Sequence, residues 1–286
     1  MGPADVHVRP AVAADVEPAF AVSDALSMVL YGRGEGSIEH LRAAWGHGEA
    51  WVAEGGGDVV GYATLEDGYV EVWPHPDHRD GDVAAALLDT VAARGGELET
   101  IVPSAADDLV GLYRDRGWTQ AREILRMELD VTQEPRTPVW PDGVAVRTYR
   151  DDDAPAVHTL MVEAFAASAE VVLPFDRWVP WMTGDPGFDP GVWFLAEAGT
   201  ELCGACLCWA EGWVKDVGVH PAWRGRGLGE ALLREAFGEF HRRGLATVGL
   251  KVDSDNPTGA VRLYERVGML PDRSYVMFSR AAPKGV

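Results

Sequence analysis

The chain has 286 residues, 47% hydrophobic and 24% charged, which excludes a mainly disordered protein and, at roughly 100 to 200 residues per domain, favours two domains. Twenty-five Lys and Arg stand against 45 Asp and Glu, a net charge of −20, so phosphate-rich partners are repelled: neither nucleic acid nor a membrane surface is an expected partner. Residues 1–140 hold 10 basic and 25 acidic side chains, residues 141–286 hold 15 and 20, and an anionic ligand is therefore expected in the second half.

At the N-terminus there is no basic start followed by an apolar run, and Val6 stands where a myristoylation signal wants Ser or Thr. Apolar residues at helical spacing predict a helix over residues 15–30, then short β-rich runs that turn at Gly55, Gly56 and Gly57. The chain then repeats itself. Val8-Arg9 with Asp15 recurs as Val146-Arg147 with Asp153, and the run from Trp51 recurs in outline from Trp193. His75-Pro76 with Arg79 recurs as His220-Pro221 with Arg224, and Leu112-Tyr113 recurs as Leu263-Tyr264. The offsets drift through 138, 142, 145 and 151 with the order kept, which is the mark of a duplicated domain with loop insertions. Residues 132–142, with three prolines, read as the linker. The copies are then residues 1–131 and 143–286.

In the second copy, helical spacing returns over 153–165. A run containing Cys203, Cys206 and Cys208 follows, with Cys206 and Cys208 on one strand face and Cys203 on the other. These cysteines are too few and too close together for a disulfide framework, and no fourth ligand is near, so no metal and a reducing, cytoplasmic location are expected. After a strand over 213–219 comes an amphipathic helix over 229–243, with Leu232, Leu233, Ala236, Phe237 and Phe240 on one face. A strand over 246–252, a short helix over 258–267 and a strand over 275–279 close the chain. The class is mixed α/β.

The most informative stretch is the turn between that strand and helix: Arg224, Gly225, Arg226, Gly227, Leu228 and Gly229. Alternate glycines let backbone N–H groups converge on an anion at the positive end of a helix, and two arginines add charge. The spacing is not that of a P-loop, since no G-K-[ST] follows, nor of a dinucleotide fingerprint, since position 230 is Glu230. A phosphate group is the expected ligand.

Val217-Gly218-Val219 with Pro221 and the Arg224–Gly229 turn, followed by Asn256, Ala260, Leu263-Tyr264 and Gly268-Met269, resembles the two signature motifs of the GNAT superfamily of acyl-CoA N-acyltransferases. The resemblance covers residues 146–279 and, more weakly, 8–130. It implies two tandem GNAT-like domains, each a mixed, mostly antiparallel sheet flanked by helices, with acetyl-CoA as co-substrate. By the same resemblance Val217, Gly218 and Val219 offer backbone groups to pantetheine and residues 224–229 hold the pyrophosphate. Asn256 bonds the pantetheine amides, and Tyr264 gives its proton to the departing thiolate. As plain structure, Asn256 is also a helix cap before Pro257 and Tyr264 a core residue. Several members carry a glutamate base at a strand position that here is Trp213. Glu211, two residues earlier and on the same strand face by alternation, is the candidate base through water; Asp216 is expected on the other face.

The aromatic and acidic stretch over 171–193 is the expected acceptor site. Trp178, Trp181 and Asp176 suit a small cationic or amino-sugar-like primary amine through stacking and cation–π contact; packing against the first domain is the alternative. In the first copy the phosphate turn reads Arg79-Asp80-Gly81-Asp82, and Asn256 corresponds to Ala105. Carboxylates there would repel a pyrophosphate, so the first copy is expected to be a degenerate, non-catalytic domain. The functional expectation is an N-acetyltransferase acting on a small amine, as a monomer or homodimer. A non-catalytic sensor of acetyl-CoA or an amine, suggested by Trp213, and a peptide N-acetyltransferase with an acidic recruiting surface are the alternatives.

Overall fold

A computed structural model describes residues 6–34, 36–78, 81–167 and 172–282. They fall into two compact units, Met1–Ile124 with Ser274–Val286, and Leu125–Arg273. The first unit opens with β1 (His7–Pro10), α1 (Val16–Tyr31) and α2 (Ile38–His47), then β2 (Glu49–Gly55), β3 (Asp58–Glu66) and β4 (Tyr69–Pro74). It continues through α3 (Asp82–Ala92), β5 (Leu98–Pro103), α4 (Asp107–Asp115) and the first residues of β6 (Thr119–Asp130). Val16, Ala19, Val22 and Leu26 recur every three or four residues along α1 and are buried, so helical spacing alone marks its inner face. Strands β1 to β4 pair antiparallel in sequence order, and β4 runs parallel to β5 with α3 as the crossover.

The second unit repeats this plan with β7 (Val144–Thr148), α5 (Ala154–Phe165), α6 (Phe175–Thr183), β8 (Phe194–Ala198), β9 (Glu201–Trp209) and β10 (Trp213–Val219). Then come α7 (Leu228–Arg242), β11 (Thr247–Asp253), α8 (Ala260–Val267) and β12 (Leu270–Arg280). Its strands lie in the order β7-β8-β9-β10-β11-β6, the last supplied by β6 from Leu125 onward. The strand pairing within each unit is mixed and mostly antiparallel, as the family resemblance implies. Among the described residues no helix is long and apolar enough to cross a membrane.

Both units lock the start of their first helix with the same charges. Arg9 lies 2.6 Å from Asp15 and 2.7 Å from Glu54; Arg147 lies 2.6 Å from both Asp153 and Glu197. Each aspartate also accepts a backbone N–H, from Val12 at 2.8 Å and from Arg150 at 2.7 Å. The repeated Arg and Asp of the sequence are thus one helix-entry device built twice.

The end of the chain departs from a simple division at residues 132–142. From Ser274 onward β12 belongs to the first unit, pairing antiparallel with β5 from Tyr275 opposite Pro103 to Arg280 opposite Leu98. Val276 and Phe278 are buried in that unit's core. In return, the later part of β6 places Met127 in the core of the second. Local periodicity identifies a strand and its buried face but does not say which sheet edge it joins.

Candidate functional site

The site is built on β10. This strand pairs with β9 along its length, but against β11 the ladder registers, among the described residues, only at Trp213 opposite Gly249. Gly249 donates there to the carbonyl of Gly212 at 2.9 Å. Beyond this point no β10–β11 register pair follows among the described residues, so the ladder leaves a gap, or wedge, along Val217, Gly218 and Val219. Its narrow end is at Trp213 and its mouth is at the loop that follows Val219. An unladdered edge of this kind could take an extended ligand through its backbone groups.

A β-bulge alters the faces of β10. Val214 stands opposite Cys208 and Asp216 opposite Leu207, so Lys215 is an extra residue. Directly opposed residues share a face. Trp213, Asp216 and Gly218 therefore share the face of Trp209, Leu207 and Ala205, while Val214, Val217 and Val219 share that of Cys208, Cys206 and Gly204. A Cβ on Gly218 would meet Met161 and Ala164 of α5, and one on Gly204 would meet Leu228 and Leu232 of α7. Asp216 thus points to the α5 side with Trp213, which corrects the simple alternation that put it on the other face. Lys215 Nζ lies 3.6 Å from Asp216 Oδ1 and 5.1 Å from the centroid of the Trp181 ring.

At the mouth of the wedge, Gly225 and Gly227 have φ of +74° and +84° with open space where a Cβ would stand. These glycines are needed for backbone conformation, and any other residue would be strained there. Gly227 is the N-cap of α7 and no side chain caps the helix, which leaves the first-turn N–H groups for an anion. Gly229 has another role: a Cβ there would lie 3.1 Å from Leu263 Cδ2, so its absence lets α8 pack against the start of α7. The two arginines differ. Arg224 Nη2 donates to the carbonyl of Ala164 at 2.7 Å, tying the loop to the end of α5, whereas the Arg226 guanidinium lies 4.6 Å from the centroid of the Trp223 ring.

Asn256 precedes α8 by one turn. Its Oδ1 accepts from Thr258 N at 2.9 Å and from Thr258 Oγ1 at 2.5 Å, so this oxygen folds the turn, and Gly259, not Asn256, is the N-cap of α8. Among the described residues the side-chain N–H2 of Asn256 has no partner. Tyr264 sits on α8 and is 7% exposed; the contact of Leu263 with Gly229 brings its helix to the loop.

Other candidate residues are placed differently from expectation. Glu211 is exposed in the turn between β9 and β10 rather than on the strand, because Gly212, at φ +92°, reverses the chain and leaves no room for a Cβ against Leu245 and Thr247. The Trp213 side chain lies over Gly249 and against the Arg126 guanidinium, 5.0 Å from its ring centroid. Trp178 is 3% exposed and packs on His158 and Trp193; this aromatic belongs to the core because α6 lays that face on α5. Trp181 and Asp176, on the same helix, are exposed. Asp189 is held by Arg243 at 2.6 Å, which keeps its carboxyl below the usual range. Val171 lies outside the described residues. Cys206 Sγ and Cys208 Sγ are 3.6 Å apart on one face, and burial pushes the Cys208 thiol up.

The first unit keeps the plan, including a parallel ladder that registers, among the described residues, only at Tyr69 opposite Glu99, and differs from the second in its strand register and in the residues at the start of its helix. Strand β4 is one residue shorter than β10 and pairs with β3 with no register shift, so it has no counterpart of Lys215. Part of the drift in repeat offset from 142 to 145 is this residue. Arg79 and Asp80 lie outside the described residues; Gly81 is the N-cap of α3 and Asp82 its first residue, which sets a carboxylate where an anion would bind. Tyr113, the counterpart of Tyr264, is 2% exposed and stacks on Phe278 at 5.4 Å. Burial raises its phenol well above the ordinary value.

Residues 154–269 match the family model described as Acetyltransferase (GNAT) family. A mycothiol acetyltransferase of Streptomyces scabiei is 34% identical, covering 93% of this chain and 87% of its own length. One of Kineococcus radiotolerans is 35% identical, covering 98% and 92%. Among solved structures, a GCN5-related N-acetyltransferase from Sphaerobacter thermophilus superposes with a TM-score of 0.83 at 28% identity, covering 98% of this chain and 97% of that one. A tandem GNAT protein from the clavulanic acid biosynthesis pathway shares the fold at 17% identity, with a TM-score of 0.75 over 99% and 100%. The tandem arrangement read from the sequence is shared with the tandem GNAT neighbour.

Proposed function

Starting from the fact that this chain belongs to the GNAT acetyltransferase family and is an acyl-CoA-dependent N-acetyltransferase, we propose that it moves an acetyl group from acetyl-CoA to a primary amine of a small acceptor, using the second unit alone. The observation that carries this reading is the wedge between β10 and β11 opening onto the uncapped, glycine-rich start of α7. The pyrophosphate of the donor would lie on the first-turn N–H groups of α7, with Arg226 beside it. The pantetheine arm would run along the free edge of Val217, Gly218 and Val219, with the Asn256 amide nitrogen as a further donor. Its thioester then points to the narrow end. Tyr264 would protonate the leaving thiolate, and Glu211 could relay a proton only through water, given its place in the turn. The first unit is a non-catalytic scaffold.

For the acceptor, Trp181 and Asp176 remain open to solvent, whereas Trp178 is structural. The Trp181 face already carries the Lys215 ammonium, which favours an amine on a hydroxyl-rich body over a polycation. The names of the relatives make the acceptor of mycothiol acetyltransferases the first compound to assay. Calorimetric titration of acetyl-CoA should give one site per chain, lost in Gly227→Asp. In Tyr264→Phe that site should persist while kcat falls about 100-fold, the scale of general acid catalysis. Absence of acetyl-CoA binding to the wild type would refute the donor assignment.

A further inference from the structure

Only three lysines occur in the chain, Lys215, Lys251 and Lys284, and one of them is the extra residue of the β10 bulge. The bulge lies one residue beyond Val214, close to the closed end of the wedge at Trp213 and Gly249. A donor anchored by its phosphates at the start of α7 must direct its acyl end toward that closed end. The Lys215 side chain is 30% exposed and its ammonium rests between the Trp181 ring and the Asp216 carboxylate. An amine is therefore already standing where an acceptor amine has to be, on the face that α5 and α6 cover and with a carboxylate beside it.

We propose that Lys215 is an internal acceptor, acetylated on Nζ by the acetyl-CoA bound to the same chain when no small amine occupies the site; this rests on the donor reading above. The Lys215 ammonium gives a proton to water, with Asp216 accepting a hydrogen bond from the nitrogen. The nitrogen lone pair attacks the thioester carbonyl carbon, a C–N bond forms and the C–S bond breaks. The nitrogen then gives up its second proton and the sulfur, leaving as thiolate, takes one, so that acetyl-CoA and a lysine ammonium become an acetyl-lysine, free CoA and one released proton. No oxidant or metal enters the balance. The product removes the positive charge from the Trp181 face and leaves Asp216 without its cation, which converts the acceptor entrance from one that repels cationic amines to one that attracts them.

The test uses the whole chain with acetyl-CoA and no acceptor, followed by intact mass and peptide mapping. The expected result is one acetyl group per chain on Lys215, arriving at least about tenfold faster than on Lys251 or Lys284, because Lys215 is held between Trp181 and Asp216 near the closed end of the wedge. Lys215→Arg, which keeps the charge, should still bind acetyl-CoA by calorimetry yet lose this label, and Gly227→Asp should slow it to the rate of the other lysines. If acetyl-CoA binds and Lys215 is labelled no faster than the others, the proposal is overturned and the donor reading stands. Labelling that is unchanged in Gly227→Asp would also overturn it, as solution chemistry. If the wild type binds no acetyl-CoA, both readings fall.

Discussion

At the scale of single residues, the two arginines of the phosphate turn separate by what they touch. Arg224 spends its guanidinium on the Ala164 carbonyl at 2.7 Å, while Arg226 only stacks on Trp223. Arg224→Ala should therefore act mainly on stability, by about 1 kcal/mol, the lower end expected for a hydrogen bond whose charged donor is exposed to solvent, with a small change in acetyl-CoA affinity. Arg226→Ala should do the reverse, weakening acetyl-CoA binding about fivefold, as one partly solvated contact to phosphate would. Thermal melts and calorimetry on both variants check the pair; equal affinity losses would show that Arg224 turns from Ala164 to the ligand. Both arginines are equally conspicuous in the sequence. Their difference depends on the end of α5, 60 residues away, which no local pattern reports.

At the scale of elements, the entry to α5 is fastened by Arg147, whose paired hydrogen bonds to Asp153 hold that carboxyl below the usual carboxylate range. In the unfolded chain an aspartate titrates near pH ~3.9. Because the folded value is lower, the stabilisation is fully present above that pH and disappears as pH falls through the folded value. Asp153→Asn should lower Tm by about 2–4 °C between pH 5 and 8, the equivalent of about 1 kcal/mol. The gap to wild type should close as the pH is taken below about 4. Thermal melts across this range check it, and a gap that widened in acid would contradict the sign. The Arg and Asp were legible as a repeated pair, and helix entry was legible with them. Glu197, the third partner, was not, because it comes from β8 across the sheet edge.

At the scale of the molecule, each unit is completed by a strand from the other half of the chain. Phe278, near the C-terminus, is fully buried in the first unit and stacks on Tyr113. Phe278→Ala should destabilise that unit by about 3–5 kcal/mol, the cost of emptying a buried aromatic position. Urea unfolding followed by probes in each unit should show the transition of the first unit moved to lower denaturant. A loss confined to the second unit would contradict the assignment of the strand.

What the sequence determined by itself was whatever repeats at short range. The period of α1, α5 and α7 marked their inner faces, the glycines of residues 224–229 marked an anion turn, and the order of motifs marked a duplication. Those signals are local because helical spacing, positive φ and helix N-termini are properties of a few consecutive residues. Tertiary structure alone decided the bulge at Lys215, which moved Asp216 to the face of Trp213, and the turn at Gly212, which removed Glu211 from the strand. It also decided the burial of Trp178 and the exchange of β12. Each depends on register, crossing or edge choice between distant segments, where one inserted residue reverses every side chain that follows.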